Sequence, residues 1–290
     1  MRPQRAYCVS HDDAVCGAVS RALATAGLAV EHVRAVPPDT AGAALLIADR
    51  GARQAAADAL RAQAVPVVVV GDDLDDDALI ALMLEAPVSH LVEDPADPTL
   101  EVTSEKLASG DVWGLEKYLA PGAAVLERVV RGDLDKRRAK DEVCAWAEAV
   151  GARRAAVHRI ASVVDELLMN ALLAAPTAAP GADLAAAPAV PRAVLRWASD
   201  PRTLALSVRD DSGSLRQRDL IDHVRRARRE RGRPQPASDG GAGLGLYLVL
   251  ANVAGLVVNI APGRRTEMVC LFDRASASRR PRSLHVFAVA

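Results

Sequence analysis

The chain has 290 residues, half of them hydrophobic and a quarter charged, which is enough for two soluble domains that each bury a core. Its formal net charge of -1 argues against a protein-wide surface for nucleic acid or for a membrane. No apolar run approaches the ~20 residues of a membrane span, and no signal peptide is visible. The four cysteines (Cys8, Cys16, Cys144 and Cys270) have no CxxC spacing and lie in apolar surroundings, which predicts buried thiols in a reducing cytosol. We therefore expect a cytoplasmic protein that binds neither nucleic acid nor a membrane.

The first third of the sequence alternates short apolar runs with helical patterns. The apolar runs are 6–10, 44–48, 65–70 and 88–92, and the helical patterns are 13–26, 51–63 and 75–85. Continuous apolar strands that alternate with helices indicate a parallel sheet covered on both faces. We therefore predict a doubly wound parallel α/β domain over residues 1–95, with ligands at the carboxyl ends of the strands.

Acidic residues stand at the ends of two of these strands. Asp12 and Asp13 follow the first strand, and Asp49 follows the run 44–48. This arrangement resembles the receiver domain of response regulators, in which an acidic pair binds Mg²⁺ and a later aspartate accepts phosphate. The resemblance implies a metal site at Asp12 and Asp13 and phosphorylation of Asp49.

The receiver resemblance is incomplete. Gly71 and Asp72 replace the Ser/Thr of that family, and Glu93 replaces its lysine, so a bound phosphoryl group would lose two partners. The second helix also looks abbreviated, because 34–43 contains two prolines. A degenerate receiver used for docking or dimerisation is therefore the favoured interpretation, and the aspartates can also simply cap strand ends.

Residues 96–150 are predicted to form a helical connector. An acidic, proline-rich stretch ends the first domain. The pattern at 102–131 is helical with a break at Pro121 and Gly122, and 133–150 repeats apolar residues on one helical face. This region can serve as a connector or as a hairpin that forms a homodimer.

A C-terminal domain is predicted over 151–290, and it opens on the strongest helical pattern of the chain, at 153–175. Glu166 and Asn170 are four residues apart on this helix, so both project from one face. A carboxylate and an amide one turn apart on a core helix indicate a polar partner, or they mark the solvated edge of the helix.

Three further motifs follow in order. A strand pair at 193–199 and 203–208 runs into Asp210-Asp211-Ser212-Gly213-Ser214. A glycine-rich loop at 240–246 runs into an apolar helix, and such a helix N-terminus is a typical anion site. Strands at 255–260 and 267–272 flank a turn that ends at Thr266, and a last strand is predicted at 283–289.

These motifs, in this order, resemble the Bergerat-fold ATPases, which include histidine kinases, gyrase-type ATPases and anti-sigma-factor serine kinases. The resemblance covers roughly 150–290. It implies an α/β sandwich with a mixed sheet and helices on one face, and it implies ATP and Mg²⁺ as cofactors.

The resemblance assigns a role to each motif. Glu166 would orient or deprotonate the attacking hydroxyl or water, and Asn170 would ligate Mg²⁺ through its carbonyl oxygen. Asp210 would accept a hydrogen bond from the adenine amino group, because the strand alternation turns it inward. In an alternative register Asp211 takes that role and Gly213 is the first glycine of the box. The remaining nucleotide-binding residues would be Gly241, Gly243, Leu244, Gly245, Leu246 and Thr266.

Two features depart from the Bergerat pattern. Ser212 and Ser214 stand where that family has glycines, so we expect a reshaped turn and weaker nucleotide affinity. The segment 216–239, which the family uses as an ATP lid, holds eight arginines. It can be a solvated, partly helical lid, a source of an arginine that reaches the phosphates, or a surface for an acidic partner. It lacks interleaved aromatic residues, which argues against nucleic-acid binding.

The two resemblances together imply a signal-transduction regulator that binds Mg-ATP. The first hypothesis is a serine/threonine protein kinase of the anti-sigma type, acting on a protein partner such as an anti-sigma antagonist or a sigma factor. The second is a non-catalytic or nucleotide-gated protein that sequesters a regulatory partner. The third is an atypical histidine kinase, which is disfavoured because no histidine occurs between His90 and His158.

Overall fold

The fold is described from a computed structural model of the chain, for residues 4–60, 65–71, 81–84, 88–173, 192–229, 242–274 and 282–289. The chain divides into two compact units, Met1–Val112 with Pro281–Phe287 and Trp113–Arg280 with Ala288–Ala290. Both units combine a sheet with helices, which confirms the predicted α/β class. Across these described ranges, no helix is both long enough and apolar enough to cross a membrane.

The first unit contains a parallel sheet. Its strands are β1 (Gln4–Val9), β2 (Leu28–Val33), β3 (Ala43–Asp49), β4 (Val67–Val70) and β5 (Val88–Val92). They lie in the order β2-β1-β3-β4-β5, and all four pairings are parallel. This 2-1-3-4-5 order is one of the two common doubly wound arrangements. Three of the six residues of β2 are exposed and its apolar run ends after three residues, so it was not among the apolar runs selected from the sequence.

Helices α1 (Asp13–Thr25), α2 (Arg53–Leu60) and α3 (Pro98–Ser109) belong to the same unit. Helix α3 has strong local signals at both ends: Asp97 caps it, Pro98 occupies its first turn, and Gly110 ends it with a left-handed φ of 75°. It packs on α1 and β3 through the fully buried Leu100. The boundary expected at residue 95 therefore differs from the structure, because the first unit continues to Val112.

The second unit contains an antiparallel sheet. Its strands are β6 (Leu126–Val130), β7 (Ala193–Ser199), β8 (Thr203–Asp210), β9 (Gly255–Ala261) and β10 (Arg265–Asp273), in the order β9-β10-β8-β7-β6. Its helices are α4 (Asp133–Ala149), α5 (Arg154–Leu173), α6 (Gln217–Arg229) and α7 (Ala242–Asn252). All four pairings among these strands are antiparallel.

The predicted connector does not exist as a separate element. Residues 126–130, expected to be helical, form strand β6, and Val129 and Val130 pair with β7. Helix α4 packs on α5 and on β6, so it belongs to the second unit. The β-branched residues Val129 and Val130 favour a strand when a neighbouring strand is available. That neighbour, β7, is distant in sequence, so the local pattern did not reveal it.

The last strand, β11 (Ser283–Ala288), pairs antiparallel with β5 and is assigned to the first unit through Phe287. From the sequence it was expected in the C-terminal domain. This pairing sets His285 opposite His90, and their ring centroids are 5.7 Å apart. Both rings are buried, and the ammonium of Lys106 on α3 lies 4.0 Å from the ring of Phe287.

Acidification is expected to destabilise the first unit. Burial, with the nearby charge of Lys106, lowers the pKa of His90 to about 3, and burial beside His90 and Lys106 lowers the pKa of His285 well below its usual value. Unfolded histidines titrate near ~6.5, so below that pH the unfolded state binds more protons and stability falls. At pH 5.5 each histidine should lower the free energy of unfolding by about 1.4 kcal/mol.

Hydrogen exchange of the amides of 88–92, corrected for intrinsic rates, measures this effect between pH 7 and pH 5.5. A His285→Leu variant should lose about half of the pH dependence because one of the two histidines is gone. An unchanged pH dependence in that variant would show that other groups control it.

Candidate functional site

A cavity of about 260 Å³ lies inside the second unit. Its polar lining residues are Asn170, Asp210, Ser214, Asp219, His223 and Thr266. The apolar side chains of Leu167, Val208, Leu246 and Met268 also line it. An apolar wall with a few polar groups is typical of a small-molecule pocket, although the volume is just below the usual ~300–1,000 Å³.

Four residues selected from the sequence meet at this cavity. They are Asn170 of α5, Asp210 at the end of β8, Leu246 of α7 and Thr266 of β10. The antiparallel register places Thr266 directly opposite Asp210, which explains how these two residues come together. Helix α5 packs on β8 and on α7, and this brings in the other two motifs.

The two adjacent aspartates face different surroundings. Asp210 is only 9% exposed and lines the cavity, whereas the side chain of Asp211 is 55% exposed and lies 3.5 Å from the guanidinium of Arg192. Burial raises the pKa of Asp210, and hydrogen bonds from Ser212 act against that rise. The strand alternation that favoured Asp210 over Asp211 thus agrees with the geometry.

Two polar atoms in the cavity wall have no hydrogen-bond partner among the described residues. One is Oγ1 of Thr266, whose side chain is buried at 3% exposure, and the other is Nδ1 of His223. Leaving a buried polar atom unsatisfied costs ~1–3 kcal/mol, so such atoms indicate water or a ligand. A water molecule or a ligand in the cavity would satisfy these two atoms.

Two cavity residues, His223 and Asp219, were not predicted from the sequence. Both lie on α6, four residues apart, so they share the helix face that borders the cavity. The same helix buries Leu220 and Ile221 completely. From the sequence, only the arginines of this segment were considered. The four-residue spacing of Asp219 and His223 could have indicated that both lie on one helix face. In one interpretation 216–239 was expected to be partly helical, and α6 covers 217–229 of it. Residues 230–241 lie outside the described part of the chain.

Glu166 and Asn170 are hydrogen-bonded to each other. The amide nitrogen Nδ2 of Asn170 donates to Oε1 of Glu166 over 3.0 Å. This bond uses the nitrogen and not the carbonyl oxygen through which Asn170 would bind Mg²⁺. Burial raises the pKa of the half-buried Glu166, and the hydrogen bond from Asn170 opposes the rise.

Gly245 lies directly against this carboxylate. A Cβ atom placed on Gly245 would stand 1.6 Å from Oε1 of Glu166, so any larger residue would displace the carboxylate and its bond to Asn170. Glycine at this position therefore permits the close approach of α7 to α5. The motif containing Gly245 thus serves helix packing in addition to the phosphate role implied by the resemblance.

The helix that follows the glycine-rich stretch begins within that stretch and not after it. Helix α7 begins at Ala242, so Gly243, Leu244, Gly245 and Leu246 lie in its first turns and not in a loop. Leu246, Val249 and Leu250 are buried, and this packing outweighs the helix cost of ~1 kcal/mol per glycine. The first amides of a helix have no partner within the helix, and α7 begins at Ala242. Gly241 lies outside the described residues.

Gly213 fixes the turn that follows Asp210. Its φ is +55°, and a Cβ would stand 2.3 Å from the carbonyl oxygen of Ala261 and 2.5 Å from the amide nitrogen of Arg264. Its own carbonyl accepts a hydrogen bond from Gly263 over 3.0 Å. Beside it, the hydroxyl of Ser212 donates to Asp210 and contacts the hydroxyl of Ser214. The expected reshaping of this box by serine therefore takes the form of a hydroxyl held on the Asp210 carboxylate.

The receiver-like aspartates of the first unit lie at one edge of its sheet, because β1 and β3 are neighbours. Asp12 caps α1 by accepting from the amide of Ala14 over 2.8 Å. Ser10 donates its hydroxyl to Asp49, which also accepts from the amide of Ala52 over 2.8 Å. Asp13 is exposed in the first turn of α1. These contacts explain Asp12 and Asp49 as local caps, and phosphorylation of Asp49 stays a prediction.

The second unit thus gathers residues from four separate sequence motifs around one partly unsatisfied cavity, with a carboxylate–amide pair beside it. The first unit gathers acidic residues at the carboxyl edge of a parallel sheet, where doubly wound folds bind ligands. No protein-family model matches this chain, and no curated protein is significantly similar to it.

Proposed function

We propose that this protein is a cytoplasmic signal-transduction regulator that binds Mg-ATP and acts as a serine/threonine protein kinase on a protein partner. The observation that carries the proposal is the convergence of Asn170, Asp210 and Thr266 on one cavity in which Thr266 is buried and unpaired. These residues belong to three separate motifs, which the sequence analysis selected through the family resemblance. The family resemblance supplies the anti-sigma type of kinase as the nearest functional comparison.

The cavity supports recognition of the adenine base. Asp210 is a hydrogen-bond acceptor for the exocyclic amino group, and the Thr266 hydroxyl can donate to a ring nitrogen or to a bridging water. Leu246 and Met268 supply apolar contacts for the base. Guanine has a carbonyl oxygen where adenine has its amino group, and that oxygen would face the acceptor Asp210, so the site would disfavour guanine.

The residues beside the cavity support phosphate handling. The N-terminus of α7 offers unpaired backbone amides and a favourable dipole for an anion. Mg²⁺ would neutralise charge on the phosphates, and the carbonyl oxygen of Asn170 is a ligand of the type it prefers. Glu166, whose pKa is raised by burial, would accept the proton of a substrate hydroxyl.

A nucleotide-gated binding protein is the second candidate, and one observation favours it. Oδ1 of Asp210 already accepts two hydrogen bonds from Ser212, one from the backbone amide at 2.8 Å and one from the hydroxyl. The hydroxyl competes with the adenine amino group for the same carboxylate, which weakens affinity. In this alternative ATP only shapes a surface that holds a regulatory partner.

The first unit supports an input role. Its 2-1-3-4-5 strand order and the acidic edge formed by Asp12, Asp13 and Asp49 fit a receiver-like domain. Because Asp12 and Asp49 are engaged as caps, docking or dimerisation through this unit is proposed in preference to phosphorylation.

Titration calorimetry with Mg-ATP, compared with Mg-GTP, tests nucleotide binding first. Saturable heat with Mg-ATP alone is expected, and no heat at high protein concentration would remove both ATP-dependent functions. Transfer of the labelled γ-phosphate to a co-purified partner then separates them. We expect transfer in the wild type and none in Glu166→Gln, whereas binding without transfer in the wild type would support the nucleotide-gated alternative.

The matched control for Glu166→Gln is Asp165→Asn. Asp165 is the adjacent carboxylate, but its partners are Lys136 at 3.6 Å and Lys140 at 3.3 Å on α4. Partly exposed ion pairs of this kind are worth ~0–1 kcal/mol, so this variant should fold and retain transfer. Loss of transfer in both variants would assign the effect to the helix and not to Glu166.

A further inference from the structure

Three side chains that bind soft metals meet in the first unit, outside the cavity described above. Cys8 of β1, Cys16 of α1 and His32 of β2 each present one ligand atom, and these atoms all lie within 4.8 Å of one another. The two sulfur atoms are 4.0 Å apart. From the sequence the cysteines were expected to be buried thiols, because their spacing along the chain matches no metal motif.

The fold explains why these residues converge. Cys8 and His32 are direct partners in the parallel pairing of β1 with β2, so their side chains emerge on the same face of the sheet. Helix α1 packs on β2, and its residue Cys16 packs against the buried cluster that contains Cys8. A site of this kind depends on strand register and is invisible in sequence spacing.

The distances suit a shared metal ion better than a disulfide. Two thiolates bound tetrahedrally to one zinc ion at ~2.3 Å are about 3.8 Å apart, close to the 4.0 Å between Cys8 and Cys16. A disulfide requires ~2.05 Å, so these sulfur atoms would have to approach by about 2 Å.

The surroundings of the three residues fit a metal site. Nε2 of His32 is 2.7 Å from the hydroxyl of Ser20 on α1, and a hydrogen bond of this type orients a histidine ring for coordination through its other nitrogen. Cys8 is buried, Cys16 is half-buried and His32 is exposed, which gives an ion a path from solvent.

We propose that Cys8, Cys16 and His32 bind one zinc ion, with a water molecule as the fourth ligand. Two sulfur ligands and one imidazole are donors that zinc prefers, whereas Mg²⁺ prefers oxygen ligands. The ion joins β1, α1 and β2, and it therefore stabilises the N-terminal part of the first unit. This site is independent of the proposed nucleotide cavity.

The test is titration of the reduced, metal-free full chain with Zn²⁺ against a chromophoric chelator, together with the absorption spectrum of its Co²⁺ form. We expect one equivalent per chain, thiolate-to-cobalt charge-transfer bands and a rise in melting temperature with zinc. Cys16→Ala and His32→Ala should each weaken zinc binding by more than the ~10–100-fold known for the loss of an outer-shell partner.

The control is Cys144→Ser, which removes a half-buried cysteine of the second unit and should leave zinc affinity unchanged. Cys16→Ala and His32→Ala change residues that are not fully buried, and circular dichroism verifies that both variants fold. Absence of stoichiometric binding, or unchanged affinity in both variants, would overturn the proposal. The proposal would also be overturned if the reduced protein bound no zinc and peroxide treatment formed a disulfide between Cys8 and Cys16.

Discussion

Replacing Asp210 by asparagine is expected to weaken the binding of Mg-ATP by about 10- to 100-fold, as measured by titration calorimetry. The substitution removes the charged acceptor of the hydrogen bond from the adenine amino group, and hydrogen bonds to charged groups contribute ~1.5–3 kcal/mol. The asparagine carbonyl still accepts from the amide of Ser212, so the turn that positions the residue is preserved. The variant should therefore fold normally while losing affinity.

Asp211→Asn provides the matched control. This neighbouring aspartate is largely exposed, and its partner is Arg192 at 3.5 Å. An exposed ion pair contributes ~0–1 kcal/mol, so nucleotide affinity should stay within about threefold of the wild type. Equal losses in both variants would contradict the placement of adenine beside Asp210. A loss confined to Asp211→Asn would instead support the alternative register, in which Asp211 contacts the adenine.

Replacing Gly213 by alanine is expected to lower the free energy of unfolding of the second unit by about 2–5 kcal/mol. About 1–2 kcal/mol comes from placing a side chain at a left-handed φ, and about 1–3 kcal/mol comes from overpacking. The atoms that the new Cβ meets are the backbone oxygen of Ala261 and the backbone nitrogen of Arg264, which cannot turn aside as a side chain can. The turn between β9 and β10 must then shift, and Thr266 shifts with it.

Gly263→Ala is the control that separates the cost of a left-handed φ from the cost of the steric clash. Gly263 also has a left-handed φ, of +68°, but a Cβ at this position would meet no atom within 4 Å. Its replacement should therefore cost only about 1–2 kcal/mol. Urea unfolding followed by tryptophan fluorescence measures both variants, since all three tryptophans, Trp113, Trp146 and Trp197, lie in the second unit. Equal costs for the two variants would show that the close approach at Gly213 is unimportant.

The pattern of the sequence predicted the elements whose signals are local. The 3.6-residue period of α5 needs only its own apolar stripe, and the structure confirms this helix from Arg154 to Leu173. The strand pair β7 and β8 has its turn at Asp200–Arg202, where Asp200 accepts from the amides of Arg202 and Thr203. Strand alternation likewise indicated the inward position of Asp210 without knowledge of the cavity.

The same kind of pattern failed where the outcome depends on a distant neighbour. The segment 126–130 was expected to be helical, and it is a strand because β7 lies beside it. Helix α7 begins within the glycine-rich stretch, and not after it, because Leu246 and Leu250 are buried in the core. In both cases tertiary packing outweighed a local preference of about 1 kcal/mol per residue or less.

For the candidate site, the sequence by itself indicated the candidate residues: Glu166 with Asn170 on one helix face, Asp210 after a strand, and Thr266 after a turn. Only the tertiary structure decided which of them meet, because convergence depends on strand register and helix packing. It added His223 from α6 to the cavity, and it joined Cys8, Cys16 and His32 in the first unit. Periodicity fixes the face on which a side chain lies, whereas contacts between residues far apart in the chain form only when the sheet is assembled.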